Sequence, residues 1–189
     1  FEHPDTPNGD VDLGTVEVSG YNILVKEWGT GIVWRSTDGG GTFEQAERSP
    51  ADGGMYWGHL YMAPGEFDAE TGVAYSTGVG PNSAFSRTTN GGDTWSGISY
   101  IDTDIDELID MGFSPVTSSQ PAYLITEEDG GPESLWYTAD ATADDVQWIR
   151  IGTDDSLGFN HMAEIEFVGD STDIAMFVVA GGNFEIWKS

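Results

Sequence analysis

Cysteine is absent from this chain of 189 residues, which excludes disulfide bonds and thiolate metal clusters. Basic residues are scarce, since six Lys and Arg face 33 Asp and Glu and the formal net charge is −27. Such a surface repels the phosphates of DNA and RNA, so we expect no nucleic-acid partner. No apolar run approaches the roughly 20 residues of a membrane-spanning helix, and no membrane span is predicted.

The acidic residues are spread through the whole chain instead of forming a tail. Their mutual repulsion weakens in salt, because the screening length falls from about 8 Å at physiological ionic strength to about 3 Å at 1 M. The composition is therefore typical of a halophilic or marine protein. A merely soluble acidic surface, or divalent cations held among the carboxylates, are the alternatives. The chain begins at Phe1 without Met, which suggests processing or a longer parent protein.

One eight-residue pattern, which we call the box, organises the rest of the sequence. It occupies residues 36–43 and recurs at 88–95. A degenerate third copy follows at 138–148, and Ser189 matches the first position of a fourth copy. The apolar segments that lead into the four copies align without gaps. The residues that define the boxes are Ser36, Asp38, Gly40, Thr42 and Phe43, then Thr88, Asn90, Gly92, Thr94 and Trp95, and finally Asp140 and Trp148.

Each repeat of about 51 residues contains four short runs that are rich in β-branched and aromatic residues and bounded by Gly, Pro, Asn and Asp. Runs of this composition with these boundary residues predict β-strands. Four strands per unit of this length is the content of a β-propeller blade. We therefore predict an all-β propeller of four-stranded antiparallel blades, with about four blades here that belong to a larger propeller. The alternative is a small closed ring in which residues 1–15 supply the outer strand of the last blade. The predicted segments are a leader or edge segment at 1–10 and blades at 11–50, 51–101, 102–152 and 153–189.

The box at 36–43 matches the pattern Ser-x-Asp-x-Gly-x-Thr-Trp/Phe at every defined position. The chain thus resembles the Asp-box propellers, the BNR-repeat family of the sialidase-like superfamily, over residues 11–189. The resemblance implies that the boxes are structural turns on the face away from the binding site. The physics agrees, because an Asp or Asn side chain can accept hydrogen bonds from N–H groups just ahead of it, and Gly supplies positive φ.

Propellers usually present their sites on the opposite face, where one blade connects to the next. These connections are predicted as loops at 50–59, 102–110 and 153–164, and they hold polar and aromatic side chains. Alternatively, the aromatic and His side chains only cap the blades and the acidic ones are solvated. The candidate binding residues are Tyr56, Trp57, His59, Asn160, His161 and Glu164.

The segment at 102–110 carries two further hypotheses. Asp102, Asp104 and Asp106 have the alternate spacing of carboxylates in a calcium loop, which makes calcium a candidate ligand. An EF-hand is excluded, because Glu107 stands where that loop needs Gly and the twelfth position is Phe113.

Alternatively, Asp106, Glu107 or Asp110 are the acids of a glycoside hydrolase. The resemblance extends to sialidases and to xyloglucanase-like enzymes with paired carboxylates. Sialidases hold their substrate carboxylate with three arginines. This chain has four arginines, and two of them, Arg35 and Arg87, directly precede boxes, which is the wrong end of the blade for a shared pocket. Boxes also occur in propellers that assist photosystem assembly, which depend on a basic patch that this chain lacks.

The leading functional hypothesis is a non-enzymatic propeller module, secreted or exposed at the cell surface. It would be a structural or recognition component of an extracellular assembly such as a surface layer, filament, appendage or virion. Its partner would be a protein or a glycan. Other copies of this chain, or further blades of the same propeller, are also candidate partners. The sequence leaves the glycoside hydrolase as the alternative.

Overall fold

The structure is a computed structural model in which two compact units, Phe1–Ser99 and Tyr100–Ser189, are distinguished. The predicted leader at 1–10 lies outside the residues that the structure describes. The described residues are 12–50, 58–64, 67–78, 84–98, 105–115, 120–128, 131–158, 161–170, 173–180 and 185–188.

The first unit contains two antiparallel sheets of four strands, in the orders β1-β2-β3-β4 and β5-β6-β7-β8. Each strand pairs with the next one along the chain, so both sheets are simple meanders. The strands of the first sheet are β1 (Leu13–Ser19), β2 (Asn22–Glu27), β3 (Val33–Ser36) and β4 (Glu44–Gln45). Those of the second are β5 (Leu60–Met62), β6 (Ala74–Gly78), β7 (Ala84–Thr88) and β8 (Ser96–Gly97).

The second unit contains a sheet of four strands, β12-β11-β10-β9, and one of three, β13-β14-β15. A single helical turn, α1 (Asp154–Leu157), follows the last strand of the former. The strands of the third sheet are β9 (Ile105–Phe113), β10 (Ala122–Glu128), β11 (Ser134–Thr138) and β12 (Ile149–Thr153). Those of the fourth are β13 (Met162–Asp170), β14 (Asp173–Ala180) and β15 (Glu185–Lys188).

Apolar side chains of the inner strands form the core of each unit. Leu24 of β2 and Val33 of β3 are buried against the second sheet, where Leu60 and Trp95 belong to the same cluster. The strand period of two explains this arrangement, because alternate side chains of a strand point to the same face. In the second unit a separate cluster contains Ile125, Leu135, Met162, Ile165 and Val178.

The prediction of an all-β propeller with four-stranded antiparallel blades is confirmed, and about four blades fit the observed sheets. The proposed blade boundaries remain predictions. No helix among the described residues is long and apolar enough to cross a membrane.

Two of the predicted loops are shorter than expected. β9 begins at Ile105, so Asp106, Glu107 and Asp110 lie in a strand and not in a loop. The strand extends this far because Leu108 is buried, and because the backbone of β9 pairs with β10 as far as Ile105. Likewise, 153–164 contains α1 and the start of β13, which places Glu164 in a strand.

Candidate functional site

The hairpin connections lie at the two ends of the strands in each sheet. We use the word edge for each of these two ends, and not for the outermost strands. The boxes join the third strand of a sheet to the fourth, and the hairpin between the first and second strands lies at the same edge, because neighbouring strands are antiparallel. We call this the box edge. The opposite edge, which we call the distal edge, receives the chain from the preceding sheet and passes it to the next one.

The first box is a turn closed by its own side chains. Asp38 Oδ1 accepts a hydrogen bond from Ser36 Oγ at 2.8 Å and one from the Thr42 backbone N–H at 2.9 Å, and Asp38 Oδ2 accepts one from Thr42 Oγ1 at 2.8 Å. Ser36 Oγ accepts the N–H of Gly40, whose φ is 91°. The Thr42 N–H is the largest of several hydrogen bonds that lower the pKa of Asp38 to about 2.

The second box repeats this arrangement with an amide. Asn90 Oδ1 accepts hydrogen bonds from Thr88 Oγ1 at 2.9 Å and from the Thr94 N–H at 3.0 Å. The box ends in Trp95, which is only 2% exposed and donates its indole N–H to Gly92 O at 3.0 Å. The ring that ends this box is therefore part of the core, whereas Phe43 in the first box is half-buried.

The third box has a different turn. Asp140 Oδ1 accepts hydrogen bonds from the N–H and Oγ1 of Thr142, two residues ahead instead of four. The side-chain hydrogen bond from Thr142 is the main cause that lowers the pKa of Asp140. Trp148 is half-buried. The side-chain hydrogen bonds given above for Asp38, Asn90 and Asp140 are made within their own boxes, as expected of structural turns.

A buried lysine lies at the distal edge of the first unit. Lys26 of β2 is 5% exposed, and its Nζ donates to Thr77 O at 2.7 Å and to Ser76 Oγ at 3.0 Å. The same stretch of β6 holds His59, because the His59 N–H donates to Thr77 Oγ1 and the Thr77 N–H donates to His59 O. The imidazole of His59 is exposed and stands 6.1 Å from the ring of Tyr61.

Three titratable side chains meet at the distal edge of the second unit. Glu133 directly precedes β11, Asp154 begins α1, and His161 directly precedes β13. The Glu133 carboxyl bonds Nδ1 of His161, and the Asp154 N–H donates to Glu133 O at 3.0 Å. The side chain of Glu133 is 7% exposed and that of His161 is 45% exposed. We call these three residues the carboxyl–imidazole cluster.

Burial is the largest influence on Glu133 and raises its pKa, and the hydrogen bond with Asp154 raises it further. The hydrogen bond and the charge of His161 act in the opposite direction without cancelling the rise. The cluster thus combines a buried carboxyl with a half-exposed imidazole.

The carboxylates of β9 do not form a comparable site. Asp110 Oδ2 accepts the N–H of Ile165 at 2.7 Å, which ties β9 to β13. Glu107 is half-buried and lies opposite Glu127 in the register of β9 and β10. For Asp106 only the position in β9 is described.

The remaining candidates are dispersed or lie outside the description. Glu164 is exposed on β13. No group of three or more His, Cys, Asp and Glu suited to a metal ion occurs within the described ranges. The candidates outside the residues that the structure describes are Tyr56, Trp57, Asp102, Asp104 and Asn160.

Sequence reasoning missed Lys26 and Glu133. Lys26 had a signal, because it is one of two lysines in a strongly acidic chain and lies in an apolar strand. Glu133 had none, because it is one of 33 acidic residues and stands 28 positions before its partner His161. His161 was a candidate, but its carboxyl partner Glu133 emerges only from the fold.

No protein-family model matches the chain, and no curated protein matches its sequence. Solved structures do resemble it. An ancestral GH74 enzyme superposes with a TM-score of 0.58 at 13% identity, covering 95% of this chain and 27% of that one. YCF48 bound to a D1 peptide superposes with a TM-score of 0.54 at 15% identity, covering 96% of this chain and 51% of that one. At such low identity the similarity shows the propeller fold alone, and the chain spans a quarter to a half of the length of these propellers.

Proposed function

We propose that this chain is a non-enzymatic recognition module that binds a protein partner through the distal edge of its second unit. We assign it to the Asp-box, BNR-repeat propellers, and place it in an extracellular or cell-surface assembly. The boxes hold the blades together in this proposal, and recognition belongs to the edge on the other side of the sheets.

The observation that carries the proposal is the position of the carboxyl–imidazole cluster. It lies where three chain segments converge at the distal edge, and it holds a half-exposed imidazole against a buried carboxyl. A side chain anchored in this way loses little entropy when a ligand binds, which favours affinity. The partner-binding role also agrees with the similarity to a propeller that is bound to a peptide, YCF48. The net charge of −27 favours a partner with basic residues.

The alternative function is a glycoside hydrolase, and the similarity to a GH74 enzyme is the observation that favours it. Such enzymes need two carboxyl groups about 5–5.5 Å apart for retention, or about 6.5–9.5 Å apart for inversion. Asp110 already accepts a backbone N–H from β13. A glycan can still be a ligand of the same edge without being cleaved.

Two assays on the whole chain separate these functions. A library of displayed peptides is selected on the protein, and the selected peptides are measured again on His161→Ala and on Asp38→Asn, which alters the box edge. We expect binding to be lost in H161A and kept in D38N. In parallel, the protein is incubated with xyloglucan and with a sialoside. Release of reducing sugar that disappears in Glu107→Gln or Asp110→Asn would establish the hydrolase and refute the recognition role.

A further inference from the structure

The exposed large apolar side chains described in the first unit all lie in one hairpin and its flanks. They are Leu13, Val16 and Val18 of β1, Tyr21 of the turn after it, and Trp28, which follows β2. The other large apolar side chains described in this unit are buried or half-buried. An exposed apolar patch of this kind marks an interaction site.

The valines of β1 point away from the second sheet. Val16 is 47% exposed and Val18 is 61% exposed. Ser19 belongs to the alternate face of β1, and its Oγ accepts the N–H of Phe67 from the second sheet at 3.4 Å. The strand registers place further residues beside the two valines, and we call this set the outer face of the first sheet: Val16, Val18, Ile23, Val25 and Trp34.

The outer face corresponds, position for position, to the face of the second sheet that packs on the first. The first residue of each box gives the common point, because it lies opposite Ile23 in β2 and opposite Ala74 in β6. The equivalent pairs are Val16 with Leu60, Val18 with Met62, and Ile23 with Ala74. Leu60, Met62 and Ala74 are all buried in the cluster that joins the two sheets. The same positions are thus covered by a neighbouring sheet in one case and exposed or half-buried in the other.

The outer face is also almost free of charge, although the chain has 33 acidic residues among 189. The strand register places one carboxylate at its distal rim, on Glu27. This carboxylate accepts the indole N–H of Trp34 at 2.6 Å and the hydroxyl of Thr30 at 2.6 Å. The centre of the face therefore offers apolar contacts and no charge to attract a basic partner.

We propose that the outer face of the first sheet packs on the same face of a second copy of this chain, in a two-fold symmetric dimer. A two-fold axis brings identical patches together, so an apolar face needs no other complement. The face measures about 20 Å by 15 Å, which is small beside the roughly 800 Å² per partner of a standard interface, so the dimer is weak. The contact leaves the distal edge untouched and is separate from the recognition role.

The charge of the chain determines how this dimer responds to salt. Two copies that each carry a net charge of −27 repel each other. The screening length falls from about 10 Å at 0.1 M salt to about 3 Å at 1 M, and the repulsion falls with it, while apolar contacts remain. Association through the outer face therefore strengthens with salt, whereas a dimer held by ion pairs would weaken.

The test is sedimentation velocity of the whole chain over a range of concentrations, at about 0.1 M and about 1 M sodium chloride. We expect a dimer whose fraction rises with both concentration and salt. Val18→Glu places a carboxylate within the contact and should weaken the dimer at least about tenfold. Val168→Glu is the matched control, because Val168 is 60% exposed but belongs to the fourth sheet, and it should leave the dimer unchanged.

A cross-link distinguishes the two-fold arrangement from other dimers. The chain has no cysteine, so Val18→Cys and Val168→Cys each introduce a single thiol. We expect a short bismaleimide at high salt to join two Val18→Cys chains and not two Val168→Cys chains.

A monomer at every concentration and salt would overturn the proposal, and so would equal weakening by the two glutamate variants. A dimer in which Val18→Cys chains are not joined would also contradict it. If the protein stays monomeric but binds phosphatidylcholine vesicles and Val18→Glu abolishes this binding, the face belongs to a lipid surface and the dimer is refuted.

Discussion

Trp95 gives the sharpest test of the view that the boxes stabilise the blades. Its side chain is 2% exposed and belongs to the core cluster that contains Leu24, Val33 and Leu60. Its indole N–H also donates to Gly92 O at 3.0 Å. Replacing a buried Trp by Ala costs about 3–5 kcal/mol of unfolding free energy, through lost burial and the cavity that remains. With a urea slope of about 2 kcal/mol/M, the unfolding midpoint falls by about 2 M.

The assay is urea unfolding of Trp95→Ala followed by circular dichroism. Phe43→Ala is the control, because Phe43 ends the first box but is only half-buried. We expect Phe43→Ala to cost about half as much, since the transfer term follows the apolar area removed from water. Trp95→Phe keeps most of the ring and loses the hydrogen bond, and its cost should also be smaller. A loss below about 1 kcal/mol in Trp95→Ala, or equal losses in the two alanine variants, would refute the reasoning.

Three further predictions concern single positions in the first unit. Gly91→Ala should destabilise the protein by at least about 2 kcal/mol in thermal or urea unfolding, because its φ is 65° and an added Cβ would lie 2.1 Å from Ala69 O. Gly97→Ala, where an added Cβ meets nothing within 4 Å, is the control and should be nearly neutral. Asp38→Asn should make the free energy of unfolding less dependent on pH during acid titration. The pKa of Asp38 is lowered from 3.8 to about 2, so its carboxylate stabilises the fold at pH values above 3.8, and this contribution is lost as pH falls through 2. An unchanged acid profile would contradict this. Lys26→Met should cost about 1–3 kcal/mol by urea unfolding, because Thr77 O loses a buried donor, and a neutral result would show that the hydrogen bonds of Lys26 add nothing.

The sequence predicted the fold well because the box repeats at a constant interval and brings its strands with it. A Gly-rich turn with an Asp or Asn at a fixed place has few alternative conformations, so one copy predicts the next. The short runs before each box became β3, β7 and β11, and the predicted run at 165–168 lies within β13.

The errors and omissions have physical causes. Asp106, Glu107 and Asp110 were assigned to a loop because they lie between the predicted strands of two successive blades, yet the backbone pairing of β10 extends β9 through them. The carboxyl–imidazole cluster could not be predicted, because the pairing of β11 with β12 brings Glu133 beside Asp154 and the contact between the third and fourth sheets adds His161. Acidic residues are so common in this chain that no single one stands out before its burial is known.

The most direct test of the central claim is a map of where a partner binds. Hydrogen–deuterium exchange of the whole chain, with and without a peptide selected from the displayed library, gives this map. The account predicts that protection increases in the segments around Glu133 and His161 of the second unit and stays unchanged in the boxes at 36–43 and 88–95. Protection confined to the boxes, with no change at the distal edge, would contradict it.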